Sequence, residues 1–270
     1  MPGSSSSINK QADFTSQASF NTHLFMTFFR ATIFNLCFYG ITCLMCVLCL
    51  PALLFPRKQM MKLVWLYVEI MYWIERRILG LDYEVRGTEH LPESGSYIIA
   101  AKHQSAYETM KLHHLFGDPG VILKRELTWI PIWGWFLNKC DMIPINRRDR
   151  ETAIASIKEG ALRMKGQGRP IIIFPQGTRV RTDTPSSQKR YKQGVVRIYE
   201  ATDLPVIPMA LNSGYYWPRK AWVKHPGTII FQFLPPIPPG HVPEDVLKDI
   251  ETQVETASNA LASEVPDHLK

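Results

Sequence analysis

Charge is missing from one long stretch of the chain: residues 31–56 contain no Asp, Glu, Lys or Arg. Cysteine is scarce, five in 270 residues, and Cys37, Cys43, Cys46 and Cys49 all fall inside that stretch, leaving only Cys140 outside it. An odd number crowded into one apolar run excludes a disulfide framework. Cys43, Cys46 and Cys49 repeat a C-x-x-C spacing, but no His or acidic residue lies near them. They read as small apolar filler rather than as a metal or redox motif. Acidic residues also run short, 24 against 31 Lys plus Arg, for a net charge of +7 and an isoelectric point near 9.1. That balance suits anionic partners of several kinds, such as nucleic acid, acidic headgroups, acidic carrier proteins or phosphorylated substrates, and does not choose among them. Hydrophobic residues at 46% and charged residues at 20% exclude a disordered chain and a collagen-like fibre. A mean hydropathy of −0.10 excludes a polytopic transporter. No internal repeat is visible.

The organisation follows from these gaps. Residues 1–30 begin with a Ser run, Ser4 to Ser7, and read as a flexible tail. Residues 31–50 form an apolar window that as a helix spans about 30 Å, the thickness of a bilayer core. A signal peptide would be shorter, nearer the terminus and followed by a small-residue cleavage site, so a retained membrane anchor is expected. Arg57, Lys58 and Lys62 follow the window, whereas only Lys10 and Arg30 precede it, which places the remainder on the cytoplasmic side. Residues 61–79 make a second helix with Lys62, Glu69 and Arg76 seven positions apart. Its Trp65, Tyr67, Tyr72 and Trp73 suit a helix lying at a membrane surface, with a buried core helix as the alternative. Residues 31–80 are therefore expected to form a membrane-associating module.

From residue 81 to 270 the pattern changes to short β-rich runs alternating with helical segments, an α/β domain. Strands are expected at 83–86, 97–101, 121–124, 142–145, 171–174, 206–210 and 229–234. Helices are expected at 105–116, 129–138, 150–165, 194–201 and 244–262.

Three strand ends carry chemistry. His103 sits where the second strand meets a helix, and Glu108 falls in that helix's first turn. A carboxylate there orients an imidazole and leaves its other nitrogen to take a proton from a hydroxyl. Ser105-x-x-Glu108 is also a capping-box pattern, so Glu108 has a purely structural alternative. Phe174-Pro-Gln-Gly-Thr-Arg179 ends a buried-looking strand in a polar turn whose Arg179 could take a phosphate oxygen pair. Lys124 and Arg147 end two further strands. His113 and His114 read as solvent-facing helix residues, and the run from Lys189 to Lys192 as a solvated loop. Ser105 lacks the G-x-S-x-G context of a hydrolase nucleophile. The aromatics cluster in apolar segments rather than among basic residues, so nucleic-acid binding is not expected.

In this order and spacing the segments resemble the lysophosphatidic acid (1-acyl-sn-glycerol-3-phosphate) acyltransferase family. Its H-x4-D motif matches His103 to Glu108 with Glu for Asp. Its second block matches Lys124-Arg-Glu-Leu with Pro131 and Gly134, then Ile143 to Arg147. Its F-P-E-G-T-R motif matches Phe174 to Arg179 with Gln176 for Glu, and Leu204-Pro-Val-Ile-Pro208 matches the fourth block. The resemblance covers roughly residues 60–235. It implies a glycerolphosphate-acyltransferase-like mixed sheet flanked by helices behind an N-terminal hydrophobic module. It implies a cytoplasm-facing membrane enzyme in which His103, held by Glu108, acts as general base. An acyl group would pass from acyl-CoA or acyl carrier protein to the 2-hydroxyl of the lysolipid, with no metal and no cofactor beyond that donor.

Lys124, Arg147, Gln176, Gly177, Thr178 and Arg179 would bind substrate, with Lys124, Arg147 and Arg179 on the glycerol phosphate and with lysophospholipid and membrane lipids as partners. Gln176 removes a charge from the family pattern, which leaves another acceptor, such as a lyso-ornithine lipid, as an alternative. A non-catalytic membrane-tethered phospholipid-binding protein is the second alternative.

Overall fold

The computed structural model describes the backbone of residues 5–270 and the side chains from residue 24 onward. Residues 1–4 of the expected tail lie outside the described residues. Helix α1 runs Ser5–Leu48, so the segment expected as a tail is helical from Ser5. No Pro or Gly occurs between Ser5 and Gly40 to stop it. Within α1, Leu24–Leu48 is long and apolar enough to cross a membrane, with mean hydropathy 1.9 and 17% of its most apolar window buried.

A 3-10 turn, Leu50–Leu54, leads to α2 (Arg57–Ile74). A single π-helical turn, Glu75–Leu79, then ends at Gly80, whose φ of +67° a side chain would resist. Helix α2 is divided by face: Met60, Met61, Val68, Met71 and Ile74 are buried, while Trp65, Leu66 and Trp73 are exposed.

Seven strands follow: β1 (Leu81–Arg86), β2 (Ile98–Ala101), β3 (Gly120–Lys124), β4 (Ile143–Ile145), β5 (Ile171–Ile173), β6 (Val206–Leu211) and β7 (Gly227–Phe233). Each falls on a run the sequence marks as strand. They form one sheet in the order β1-β7-β6-β2-β5-β3-β4. Every pairing is parallel except β6 with β7. Parallel strands with both faces covered read as unbroken apolar runs, and Ile171–Ile173 and Val206–Leu211 are buried throughout. Alternation then assigns faces. Ile98 and Ala100 pack with Ile157 and Ala161 of α5 (Arg150–Gly166), Val195 and Ile198 of α6 (Gly194–Thr202), and Val246 and Ile250 of α8 (Pro243–Ser263). Ile99 and Ala101 pack on the other face with Phe34, Met71, and Tyr107 and Leu112 of α3 (Tyr107–Phe116). Because Ala31 and Phe34 of α1 belong to this second core, no boundary in the packing separates residues 31–80 from the sheet.

The helix expected at 129–138 is broken. Arg125–Trp129 is a 3-10 turn, and α4 spans only Trp133–Lys139. Between them Ile132 is held at φ +64° and ψ −59°, and the Trp133 N–H donates to the Pro131 carbonyl at 2.7 Å, a γ-turn. Pro131 cannot donate a helical hydrogen bond and disfavours helix at Ile130 before it, so the chain reverses there. Gly134 is required by the reversal, since a Cβ would lie 2.1 Å from the Thr128 carbonyl oxygen.

Candidate active site

In a parallel sheet, ligands collect beyond the carboxyl ends of the strands. Here β2, β5, β3 and β4 are consecutive neighbours running the same way. Their ends therefore bring together four segments far apart in sequence: Lys102–Glu108, Phe174–Arg179, Lys124 and Arg147.

The imidazole and the acid meet. His103 Nδ1 lies 2.9 Å from Glu108 Oε1. The same oxygen accepts the backbone N–H groups of Gln104 and Ser105, each at 2.7 Å, and Oε2 accepts the Ser213 hydroxyl at 2.7 Å. Ser105 Oγ in turn accepts the Tyr107 N–H at 3.1 Å. One carboxylate thus holds both the imidazole and the two backbone N–H groups that lead into α3, whose own N-cap, Ala106, has no side-chain cap, so the capping box expected at Ser105–Glu108 is not formed. Helix α3 begins at Tyr107 rather than at 105, and Glu108 reaches back from its first turn to His103. Since a carboxylate only accepts, Nδ1 carries the hydrogen, an arrangement that in the neutral imidazole leaves the lone pair on Nε2. The ring stacks on Phe174, 4.0 Å between centroids and 21° between planes, and is 14% exposed.

His103 opens on a cavity of about 1000 Å³. Its walls divide by chemistry. Met45, Cys46, Met60, Leu63, Val64 and Tyr67 from α1 and α2 form an apolar part, and Lys124, Arg147, Gly177, Thr178, Arg179 and Lys192 a polar one. Arg147 donates to the Gly177 carbonyl. Gly177 sits at φ +69°, and a Cβ there would lie 3.0 Å from Lys192 Nζ. Burial, then the nearby Arg147 and Lys189 charges, hold the Lys192 ammonium below its ordinary value. Arg147, Arg179 and Lys192 form no ion pair among the described residues, though Glu126, 3.3 Å from Lys124, also acts on Arg147. Unneutralised like charges around a glycine turn are what an anion site requires.

Two expectations differ from the structure. Gln176 does not line the cavity: it is fully buried, with Oε1 3.4 Å from the His103 N–H and Nε2 without a partner among the described residues. Lys192 is exposed in its loop, as expected, and also lines the cavity. His113 and His114 are not solvent-facing. His113 lines the cavity with Nδ1 3.0 Å from the Gly117 carbonyl, and burial lowers its basicity. His114 lies 3.1 Å from Glu69 and packs against Trp65, Tyr72 and Tyr83. Both follow from helix geometry, because α3 is wrapped by α2 on the face that carries them.

Ser213, on the short α7 (Ser213–Tyr216), escapes sequence reasoning altogether, being 105 residues from the Glu108 it contacts. Behind the site, Glu255 of α8 accepts Lys102 at 2.5 and 2.6 Å and the Tyr191 hydroxyl at 2.9 Å. One acid thus ties the residue before His103 to the residue before Lys192.

Residues 82–212 match the Acyltransferase family model. Over 158 residues, 58% of the chain, the sequence is 37% identical to the 1-acyl-sn-glycerol-3-phosphate acyltransferase of Pseudomonas aeruginosa. Over 193 residues, 70% of the chain, it is 28% identical to the protein of the same name in Saccharomyces cerevisiae. The matches span 60% and 63% of the length of those two relatives. The fold is that of the crystal structure of the 1-acyl-sn-glycerophosphate acyltransferase of Thermotoga maritima, with a TM-score of 0.70 over 88% of this chain and 99% of that one at 24% identity. Every strand-end segment of the site lies inside the region that matches the Acyltransferase family model.

Proposed function

We propose that the protein is a membrane-bound acyltransferase. It moves a fatty acyl group from acyl-CoA or acyl carrier protein to the sn-2 hydroxyl of 1-acyl-sn-glycerol-3-phosphate, giving phosphatidic acid. The observation that carries this reading is the His103–Glu108 pair opening on one cavity with an apolar wall for a chain and unpaired cations for a phosphate.

In this reading His103 Nε2 takes the proton of the acceptor hydroxyl as its oxygen attacks the thioester carbonyl. Glu108 holds the ring and stabilises the imidazolium that forms. The tetrahedral intermediate collapses with cleavage of the carbon–sulfur bond, and the proton on Nε2 passes to the departing thiolate. No acyl-enzyme forms. Arg147, Arg179 and Lys192 hold the phosphate, each charged hydrogen bond contributing about 1.5–3 kcal/mol. The cationic residues after α1 support a cytoplasmic position for the catalytic domain. The Gln176 amide does not reach the cavity, so its departure from the family pattern gives no reason to prefer a different acceptor.

The test is the full chain in phospholipid vesicles with radiolabelled acyl-CoA and a panel of lysolipid acceptors. Lysophosphatidate is expected to be the preferred acceptor, and His103→Ala to lose roughly 10²- to 10⁴-fold in turnover while still residing in the vesicles. Near-normal turnover of His103→Ala overturns the general-base role. Equal use of a dephosphorylated acceptor overturns the phosphate site.

A further inference from the structure

The Arg125–Lys139 segment carries apolar surface that neither the sheet nor the cavity uses. Trp129, Ile130 and Trp135 are 64%, 44% and 52% exposed. Leu127 and Trp133 of the same segment line the cavity, so this stretch of chain is a wall with one side on the site and the other on the exterior. The strained γ-turn at Ile132 and the close approach of Gly134 to Thr128 hold it in that shape. Exposed apolar clusters of this kind mark interaction sites rather than ordinary surface.

What covers it follows from its neighbours. Phe136 and Leu137 of α4 pack with Ala52, Leu53, Met60 and Met61, joining this segment to the corner between α1 and α2. At that corner Leu54 and Phe55 are exposed, as are Leu44, Val47 and Leu48 at the end of the apolar helix. The cations suit an anionic lipid surface. Arg125 lies over the Trp129 ring at 5.4 Å, and Lys58 and Lys62 are exposed at the start of α2. The acid of the segment, Glu126, is already paired with Lys124. Tryptophans beside arginine and lysine, continuous with an apolar helix, match the headgroup boundary of a bilayer.

We propose that Leu127–Trp135 is a second membrane-contact element. It docks beside α1 and α2 at an anionic bilayer surface, so that the cavity wall it forms opens directly to lipid. The docking stands by itself, and delivery of a lysolipid acceptor through this wall rests on the function proposed above.

The experiment uses the full chain in vesicles of phosphatidylcholine and phosphatidylglycerol that contain a phospholipid with a photoactivatable acyl chain, and adducts are mapped by mass spectrometry. Adducts within residues 127–135 are expected, and the W129S/I130S/W135S variant is expected to reduce them roughly tenfold. The three side chains lie outside both the core and the cavity wall, so the variant should turn over a short-chain, water-dispersed acceptor as wild type does. For a long-chain acceptor held in the bilayer, its KM should rise by a similar factor. Adducts confined to residues outside 127–135 overturn the docking, as do cross-links between copies of the chain through this segment in place of lipid adducts. Lipid adducts with an unchanged KM for the bilayer-held acceptor overturn delivery through this wall. Adduct mapping needs no turnover, so failure of the docking is distinguishable from failure of the proposed reaction.

Discussion

Replacing Glu108 with Gln separates the charge of the acid from its hydrogen bonds. In the wild type, Oε1 is fixed by the Gln104 and Ser105 N–H groups at 2.7 Å, so a Gln side chain must place its carbonyl oxygen there. Its amide then faces the Ser213 hydroxyl, which can accept as readily as it donates. The oxygen held by the backbone still accepts from His103 Nδ1, so the imidazole keeps both its tautomer and its orientation. What disappears is the negative charge that stabilises the imidazolium in the transition state. At a charge separation of about 4 Å and an effective dielectric of about 20, that interaction is worth about 4 kcal/mol. The amide dipole recovers part of it, leaving an expected fall in kcat of roughly 10²- to 10³-fold. The acceptor KM should stay nearly constant, because Glu108 does not line the cavity. Steady-state kinetics in vesicles, with circular dichroism and thermal unfolding to confirm the fold, measure both parameters. A kcat within about threefold of wild type, or a defect confined to KM, refutes the electrostatic role and leaves Glu108 as a brace of the turn before α3 alone.

Two further predictions concern charges on either side of the site. Arg147→Ala and Arg179→Ala should each raise the KM for lysophosphatidate roughly 10- to 150-fold, with little change for the thioester donor, and should erase discrimination against the dephosphorylated acceptor. Unchanged discrimination would remove these residues from the phosphate site. On the other face of the sheet, Lys111 is fully buried against Glu75 beneath the rings of Tyr72, Tyr83 and Tyr107. Burial pushes the Glu75 carboxyl up to about 7 from 4.5, so the native state holds its proton more tightly than the unfolded chain does. Stability should accordingly fall as pH rises from about 4.5 to 7. That slope should flatten in a Glu75→Gln/Lys111→Met double variant, and in Lys111→Met alone it should extend to higher pH, because loss of the ammonium leaves burial unopposed at Glu75. Thermal unfolding across this pH window checks all three statements.

The sheet was legible because its strands are covered on both faces, which leaves runs such as Ile171–Ile173 apolar without interruption. The site was legible in outline because parallel topology confines ligands to strand ends, and basic or imidazole side chains at those ends have few structural uses. The sequence was silent wherever a residue's meaning depends on what packs against it from a distance. Ser213 is one serine among many until β6 delivers it to Glu108. His113 and His114 look solvated on α3 until α2 covers them. Gln176 looks like a ligand in its motif, yet the turn after β5 points it inward.

Lys192 makes the physical reason plain. In a linear reading it is one of several cations in a hydrophilic loop, and such cations are usually solvated or paired. Folding places it over Gly177 beside Arg147 without an ion-pair partner of its own among the described residues, so that bringing these two charges together is itself unfavourable. An arrangement that raises the energy of the empty protein persists when an anion lowers it again, and the polar wall beside His103 is where a phosphate would do so.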